Sequence, residues 1–322
     1  MILSIVVPCY NEEAVISETI NRLVSLLDRF VYSNRLSSES HIIFVDDGSR
    51  DRTWEIIRDA SDNLERVRGL KLSRNRGHQN AVLAGMLDAD GDAVITIDAD
   101  LQDDLAAIEK MLIEFEKGSD IVYGVRQSRT TDTLFKRITA EGYYRLLDRF
   151  GVEVVFNHAD YRLMSRRAIE ALRSFGEVNL FLRGIIPQIG FPSSIVYYDR
   201  AERFAGESKY PLKKMIALAW EGITSFSTVP LRFITAIGFV ISFFSFAVTI
   251  WAIFIRLFSD QAVPGWTSTV VPMYLLGGVQ LLCIGIIGEY LAKIYTETKR
   301  RPSYFIEQRA CSKVQILENN NV

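Results

Sequence analysis

The sequence predicts an α/β domain with a mainly parallel sheet, followed by a membrane domain of two transmembrane helices. Strand-like and helix-like apolar patterns alternate as far as Tyr123, and charge almost vanishes between about residue 215 and Glu289. Mean hydropathy is +0.11 although 24% of the residues are charged, so the apolar excess is concentrated rather than spread.

Residues 2–7 form a β-branched run ending at Pro8, and residues 12–30 then carry Val15, Ile16, Ile20, Leu23, Leu26 and Leu27 at helical spacing. The pair recurs as His41–Val45 with Thr53–Asn63, Gly69–Leu72 with Gln79–Asp90, and Ala93–Ile97 with Leu105–Lys117, followed by a strand at Asp120–Tyr123. The serine-rich stretch Tyr32–Ser40 reads as a surface loop, residues 134–149 as a helix with mobile flanks, and His158–Ser165 as extended.

Two uncharged runs, Phe233–Ile255 and Gln261–Gly288, each exceed the about 20 residues that cross a hydrocarbon core. Their short link, Arg256–Gly265, makes them an antiparallel hairpin. Lys209, Lys213, Lys214 and Arg232 precede the pair and Lys293, Lys299, Arg300 and Arg301 follow it, which places the α/β domain and both termini in the cytoplasm. Arg256 at the far end is accommodated by snorkelling. The expected domains are 1–210 for the α/β unit, 211–230 for an interfacial juxtamembrane helix, 231–292 for the hairpin and 293–322 for a tail. An ordinary domain helix remains the alternative for 211–230.

Composition excludes several classes. A net charge of −2 offers no basic surface for nucleic acid. Cys9, Cys283 and Cys311 are too few and scattered for a disulfide framework or thiolate metal site. The apolar start lacks a basic leader, so no signal peptide is expected. There is no G-x-G-x-x-G after the first strand and no G-x-x-x-x-G-K-[ST], which removes dinucleotide and P-loop readings.

Ligands of open α/β sheets gather at the carboxyl ends of the strands. Those ends read Tyr10-Asn11-Glu12, Asp46-Asp47-Gly48-Ser49 and Asp98-Ala99-Asp100-Leu101-Gln102. Asp98 and Asp100 present hard oxygens suited to Mg²⁺ or Mn²⁺, or else cap the helix near Leu105, a role open to Asp103 as well. Asp46 or Asp47 can accept hydrogen bonds from a base or ribose, with Ser49 or Asp51 capping the next helix. Arg126, Arg137, Arg162, Arg200, Arg203 and Lys209 are candidate phosphate-binding cations, and Gly206 and Ser208 make the last part of that set adaptable. Asp160 and Arg162 form either a buried acid–base pair or, by default, a surface pair. His41, His78 and His158 lack metal-site spacing and read as structural.

In order, Pro8-Cys-Tyr10-Asn11-Glu12, Val45-Asp46-Asp47-Gly48-Ser49, Arg74-Asn75-Arg-Gly77, Asp98-Ala-Asp100-Leu-Gln102 and Gly206-Glu-Ser208-Lys209-Tyr210 resemble glycosyltransferase family 2, in particular its polyisoprenyl-phosphate glycosyltransferases. Asp160-Tyr-Arg162-Leu-Met-Ser165-Arg166 and the two-helix tail ending Gly288-Glu289-Tyr290 extend the likeness to the bactoprenol glucosyltransferase branch. The resemblance implies a GT-A fold, Mg²⁺ or Mn²⁺ on Asp98, Asp100 and Gln102, and nucleotide contacts from Pro8, Tyr10, Glu12 and Asp47. It also implies that Arg203 and Lys209 hold the donor diphosphate and that Arg126 and Arg137 face the lipid phosphate. Proline often follows the Leu-Gln pair in the family, whereas Asp103-Asp104 stands here.

The implied reaction is inverting transfer of a hexose to a polyisoprenyl (undecaprenyl) phosphate, with UDP-glucose as donor and N-acetylhexosamine or mannose as the alternative sugar. The acceptor phosphate is ionised at neutral pH, so no strong base is needed, and Asp160 beside Arg162 is read as orienting rather than basic. A processive polysaccharide synthase would carry Q-x-x-R-W and more spans, and neither is present. A non-catalytic membrane accessory protein that keeps the fold is the rival from another class. Homo-oligomerisation is left open.

Overall fold

The computed structural model describes residues 1–126, 158–178, 180–199, 229–258 and 266–311. The expected helix at 134–149, the interfacial segment up to residue 228, and Arg137, Arg200, Arg203 and Lys209 lie outside the described residues.

The chain begins with β1 (Leu3–Cys9), α1 (Ile16–Tyr32), β2 (His41–Asp46), α2 (Thr53–Asn63) and β3 (Val67–Leu72). It continues through α3 (His78–Asp88), β4 (Ala93–Thr96), α4 (Ala106–Glu116) and β5 (Ile121–Arg126). After residue 157 come β6 (His158–Ser165), α5 (Arg166–Arg173), α6 (Leu182–Gln188) and β7 (Ser193–Tyr198). The alternation read from the sequence is therefore present, with α1 displaced towards the C-terminus because residues 11–13 are drawn into loop contacts.

Among the described residues, eight strands form one sheet in the order β7-β5-β6-β4-β1-β2-β3-β8, where β8 is Ile306–Ala310. β1 pairs parallel with β2 and β4, β2 with β3, and β5 with β7, while β6 runs antiparallel between β4 and β5. Every residue of β1 and β2 is buried, as expected of a strand covered on both faces by helices. Leu23 and Leu27 of α1, Ile5 and Val7 of β1, and Met111 and Leu112 of α4 belong to one apolar core. Truncating one of these leucines to alanine costs about 2–5 kcal/mol.

β1 has β2 on one side and β4 on the other, so its connections reverse direction there. This is the switch point at which such sheets open a crevice. The register carries the strand-end acids to it: Cys9 lies opposite Asp46, and Val6 opposite Thr96. Thr96 also lies opposite Arg162 across the antiparallel pair, which brings Asp160 towards Asp98 two residues further along.

A second unit contains α7 (Val229–Phe258) and α8 (Trp266–Lys299). Among the described residues, Leu276–Lys299 is long and apolar enough to cross a membrane, and Val229–Ile241 is a shorter apolar stretch. The two long helices expected from the sequence are present, and one of them contains a segment that qualifies as a span by length and composition.

The stretch read as a tail contains β8, which closes the sheet edge antiparallel to β3. Trp54 Nε1 donates to Gln308 Oε1 at 3.0 Å, Lys71 pairs with Glu307 at 3.2 Å, and Arg309 pairs with Asp88. Its three consecutive polar residues, Glu307-Gln308-Arg309, give no strand-like alternation in the sequence.

Candidate active site

The loops after β1 and β2 are sewn together by side chains that turn into backbone donors and acceptors. Asn11 N–H donates to Ser49 Oγ at 2.9 Å and Asn11 Oδ1 accepts from Arg50 N at 2.8 Å. Glu12 N–H donates to Thr53 Oγ1 at 2.8 Å, and Asp51 Oδ1 accepts from Thr53 N at 3.1 Å, the helix-start role expected of Asp51. Asn11 sits at φ 56°, a left-handed backbone rare outside glycine. Tyr10 is left 41% exposed beside this network, and Pro8 is buried in β1.

Asp46 and Asp47 have different duties. Asp46 Oδ1 accepts from Ser49 N at 3.3 Å and closes the Gly48 turn. Asp47 accepts from Arg76 N at 2.7 Å and Gly77 N at 2.9 Å, tying the end of β2 to the loop that starts α3. Burial raises both carboxyls, and these N–H donors oppose it. Gly48 adopts φ +70°, and a Cβ there would stand 2.6 Å from Asn75 N. Only glycine admits so close a backbone crossing.

The third loop carries Asp98, Asp100 and Gln102. Asp100 Oδ1 accepts from Gln102 N at 3.2 Å, and Leu101 between them sits at φ 57°. Backbone held in this region is stored strain, of a kind concentrated at functional sites. The helix-capping alternative falls to Asp104, whose Oδ1 accepts from Ala106 N at 2.8 Å. Asp103 is buried and accepts from Tyr198 OH at 2.6 Å. Tyr161 OH donates to Asp104 O at 3.0 Å, and its ring meets Tyr198 edge-on at 5.2 Å. Two tyrosines thus hold the Asp103-Asp104 segment.

Asp160 corrects one expectation and His78 another. The Asp160–Arg162 pair, a surface pair by default, is drawn inwards because β6 is an interior strand: Arg162 is fully enclosed and Asp160 is mostly covered. Arg162 Nη2 donates to Asp160 Oδ1 at 2.5 Å, while Arg162 Nε and Nη1 have no hydrogen-bond partner among the described residues. His78, read as structural, opens α3 over the ends of β4 and β6, with Nε2 3.4 Å from Asp160 Oδ2 and 3.6 Å from Asp98 Oδ1. Its lack of metal-type spacing hid this role.

The sequence reading missed Arg183. From α6 its Nε and Nη2 reach the two Asp160 oxygens at 3.2 and 3.1 Å, a bidentate fork. The signal available was a lone arginine in the apolar run Phe181-Leu182-Arg183-Gly184. Arg126, expected at the lipid phosphate, donates from Nε to Tyr198 OH at 3.3 Å and has Nη2 3.7 Å from Asp103.

Electrostatics separate the two central carboxylates. Burial would raise Asp160, yet Arg183, the His78 hydrogen bond and Arg162 hold it well below the ordinary carboxylate range. Burial raises Asp98 to about 6 against the pull of His78, and repulsion from Asp103, Asp160 and Asp100 adds to the rise. An acid whose charge its neighbours stabilise therefore stands beside one whose charge its surroundings oppose.

Among the described residues no three His, Cys, Asp or Glu side chains form a ready metal cluster. Asp98, Asp100 and the Gln102 side chain carry, on one loop, donors of the kind a hard divalent cation takes. Their donors are oxygens, and the raised Asp98 marks negative charge that a cation would relieve.

The mainly parallel α/β sheet, with carboxylates at the ends of its central strands, is of the GT-A glycosyltransferase type. The glycosyl transferase family 2 profile matches residues 4–173, and the chain belongs to that family and is a glycosyltransferase. It is 51% identical over 308 residues to the uncharacterized glycosyltransferase YkoT of Bacillus subtilis (strain 168), covering 95% of this chain and 91% of that protein. It is 41% identical to the bactoprenol glucosyl transferase of Shigella phage SfV, covering 95% and 98%. The prophage bactoprenol glucosyl transferase homolog of Escherichia coli (strain K12) is 40% identical, with 96% and 99% covered.

Proposed function

We propose that this enzyme transfers glucose from UDP-glucose, with inversion, to a polyisoprenyl phosphate at the cytoplasmic face of a membrane. The observation that carries the reading is the meeting of Asp98, Asp160, His78 and Arg183 at the switch point of a family 2 fold, in a chain aligned almost end to end with bactoprenol glucosyl transferases.

In this reading Pro8, Tyr10, Glu12, Asp46 and Asp47 surround the nucleotide, while Arg203 and Lys209 meet the diphosphate. Mg²⁺ or Mn²⁺ on Asp98, Asp100 and Gln102 supplies charge neutralisation for the leaving diphosphate. The acceptor phosphate attacks as an anion, so the protein's task is positioning. Asp160, kept ionised by Arg162 and Arg183, is a poor base and a good orienting acceptor. Arg126 and Arg137 face the lipid phosphate.

Chain parity supports two spans. β7 and β8 share one sheet, so the chain between them crosses a membrane an even number of times. In this reading Leu276–Lys299 is one crossing and α7, uncharged over 233–255, is the other. This returns both ends of the helix pair to the face where Lys293, Lys299 and Arg300 lie.

The test is to incubate membranes carrying the protein with Mn²⁺, undecaprenyl phosphate and a panel of radiolabelled nucleotide sugars, then extract lipid. Label from UDP-glucose entering the organic phase is the expected result. Transfer from none of the donors, while the Shigella phage SfV protein is active in parallel, would refute the enzymatic reading.

A further inference from the structure

The strand β8 does more than close an edge. Immediately before it, Phe305 O accepts from Ser73 N at 2.9 Å, and the Phe305 ring lies 6.0 Å from the Arg76 guanidinium. Ser73 and Arg76 bracket the loop whose Arg76 and Gly77 amides hold both oxygens of Asp47. The same loop presses its Asn75 backbone against Gly48 and delivers His78 to the Asp98–Asp160 pair. Asn80 Nδ2 fastens it from the helix side by donating to Arg76 O at 2.7 Å. The loop has Asp47 and Gly48 on one flank and Phe305 on the other.

We propose that Phe305, with β8 behind it, is a positioning element for donor binding: it sets loop 73–77 and, through it, Asp47. The inference rests on the reading of Asp47 as part of the nucleotide site. Phe305 is 54% exposed, so it contributes little to the core, and its place is explained by what it touches. Setting a ring beside a guanidinium while a main-chain bond fixes its carbonyl removes freedom from the loop, and a preordered loop binds ligand with less loss of entropy. Because Phe305 follows α8 closely in the chain, donor affinity becomes linked to how the segment after that helix is held.

The experiment compares full-length wild type, Phe305→Ala and Phe305→Tyr in detergent micelles. Hydrogen exchange at the Arg76 and Gly77 amides reads the loop without reference to activity. Titration with UDP and Mn²⁺ reads nucleotide affinity, and steady-state kinetics separate donor KM, acceptor KM and kcat.

For Phe305→Ala we expect faster exchange at both amides, UDP affinity and donor KM weakened by roughly two- to fivefold, and little change in kcat or acceptor KM. The tyrosine variant keeps the ring and restores all three. Unchanged exchange in the alanine variant overturns the proposal whatever the activity, as does faster exchange with unaltered UDP affinity. A wild type that binds no UDP, alongside faster exchange in the variant, supports the loop contact and counts against the donor reading alone.

Discussion

Asp98→Asn should make the protein more stable and inactive. Asparagine keeps the shape of aspartate and removes the charge that burial and three neighbouring carboxyls oppose. The carboxyl moves from 3.8 to about 6, a rise of roughly two pH units. At ~1.4 kcal/mol per unit this sets a ceiling of about 3 kcal/mol. The side chain is 34% exposed, so solvent screening brings the expected gain to about 1–2 kcal/mol.

The sign follows from the direction of the change. Below the unfolded value both states carry the proton, and wild type and variant are equally stable in this respect. Between there and about 6 the unfolded state ionises first and the wild type falls behind; above about 6 the deficit is complete. Urea unfolding in micelles at pH 4 and pH 7.5, without divalent cations, measures it. Mn²⁺ should raise wild-type stability at pH 7.5 and leave the variant unmoved. A variant less stable than wild type at pH 7.5 would refute the reasoning, because Asp98 would then be a structural partner.

Other expectations are equally direct. Arg183→Ala removes a bidentate charge-assisted contact from Asp160 and should lower kcat by roughly 10- to 100-fold; Arg183→Lys recovers part of it, and a rate within twofold of wild type in both would exclude a positioning role. Gly48→Ala forces a Cβ against Asn75 at a positive φ and should cost about 2 kcal/mol or more, read as a lowered melting temperature. Ser165→Ala removes the cap on Ala168 N and the bond to Asp120, an expected loss of about 1–2 kcal/mol in urea unfolding. EDTA should abolish transfer, with Mn²⁺ or Mg²⁺ restoring it; transfer that persists in EDTA and in Asp100→Ala would remove the metal from the reaction.

The sequence by itself determined the alternation of strands and helices, because burial on both faces of a parallel sheet writes continuous apolar runs such as 3–9 and 41–46. It also determined the strand-end acids and the two long apolar helices, which are local properties of composition. Tertiary structure alone decided what those acids face. Asp47 became a clamp because β3 leads its loop back past β2, and His78 and Arg183 reached Asp160 because α3 and α6 both begin beside β6. β8 joined the sheet because the edge of β3 offered main-chain partners to a segment more than 200 residues away. Register and edge pairing are long-range choices, and a single side chain such as Arg183 carries no local mark of the carboxylate it will meet.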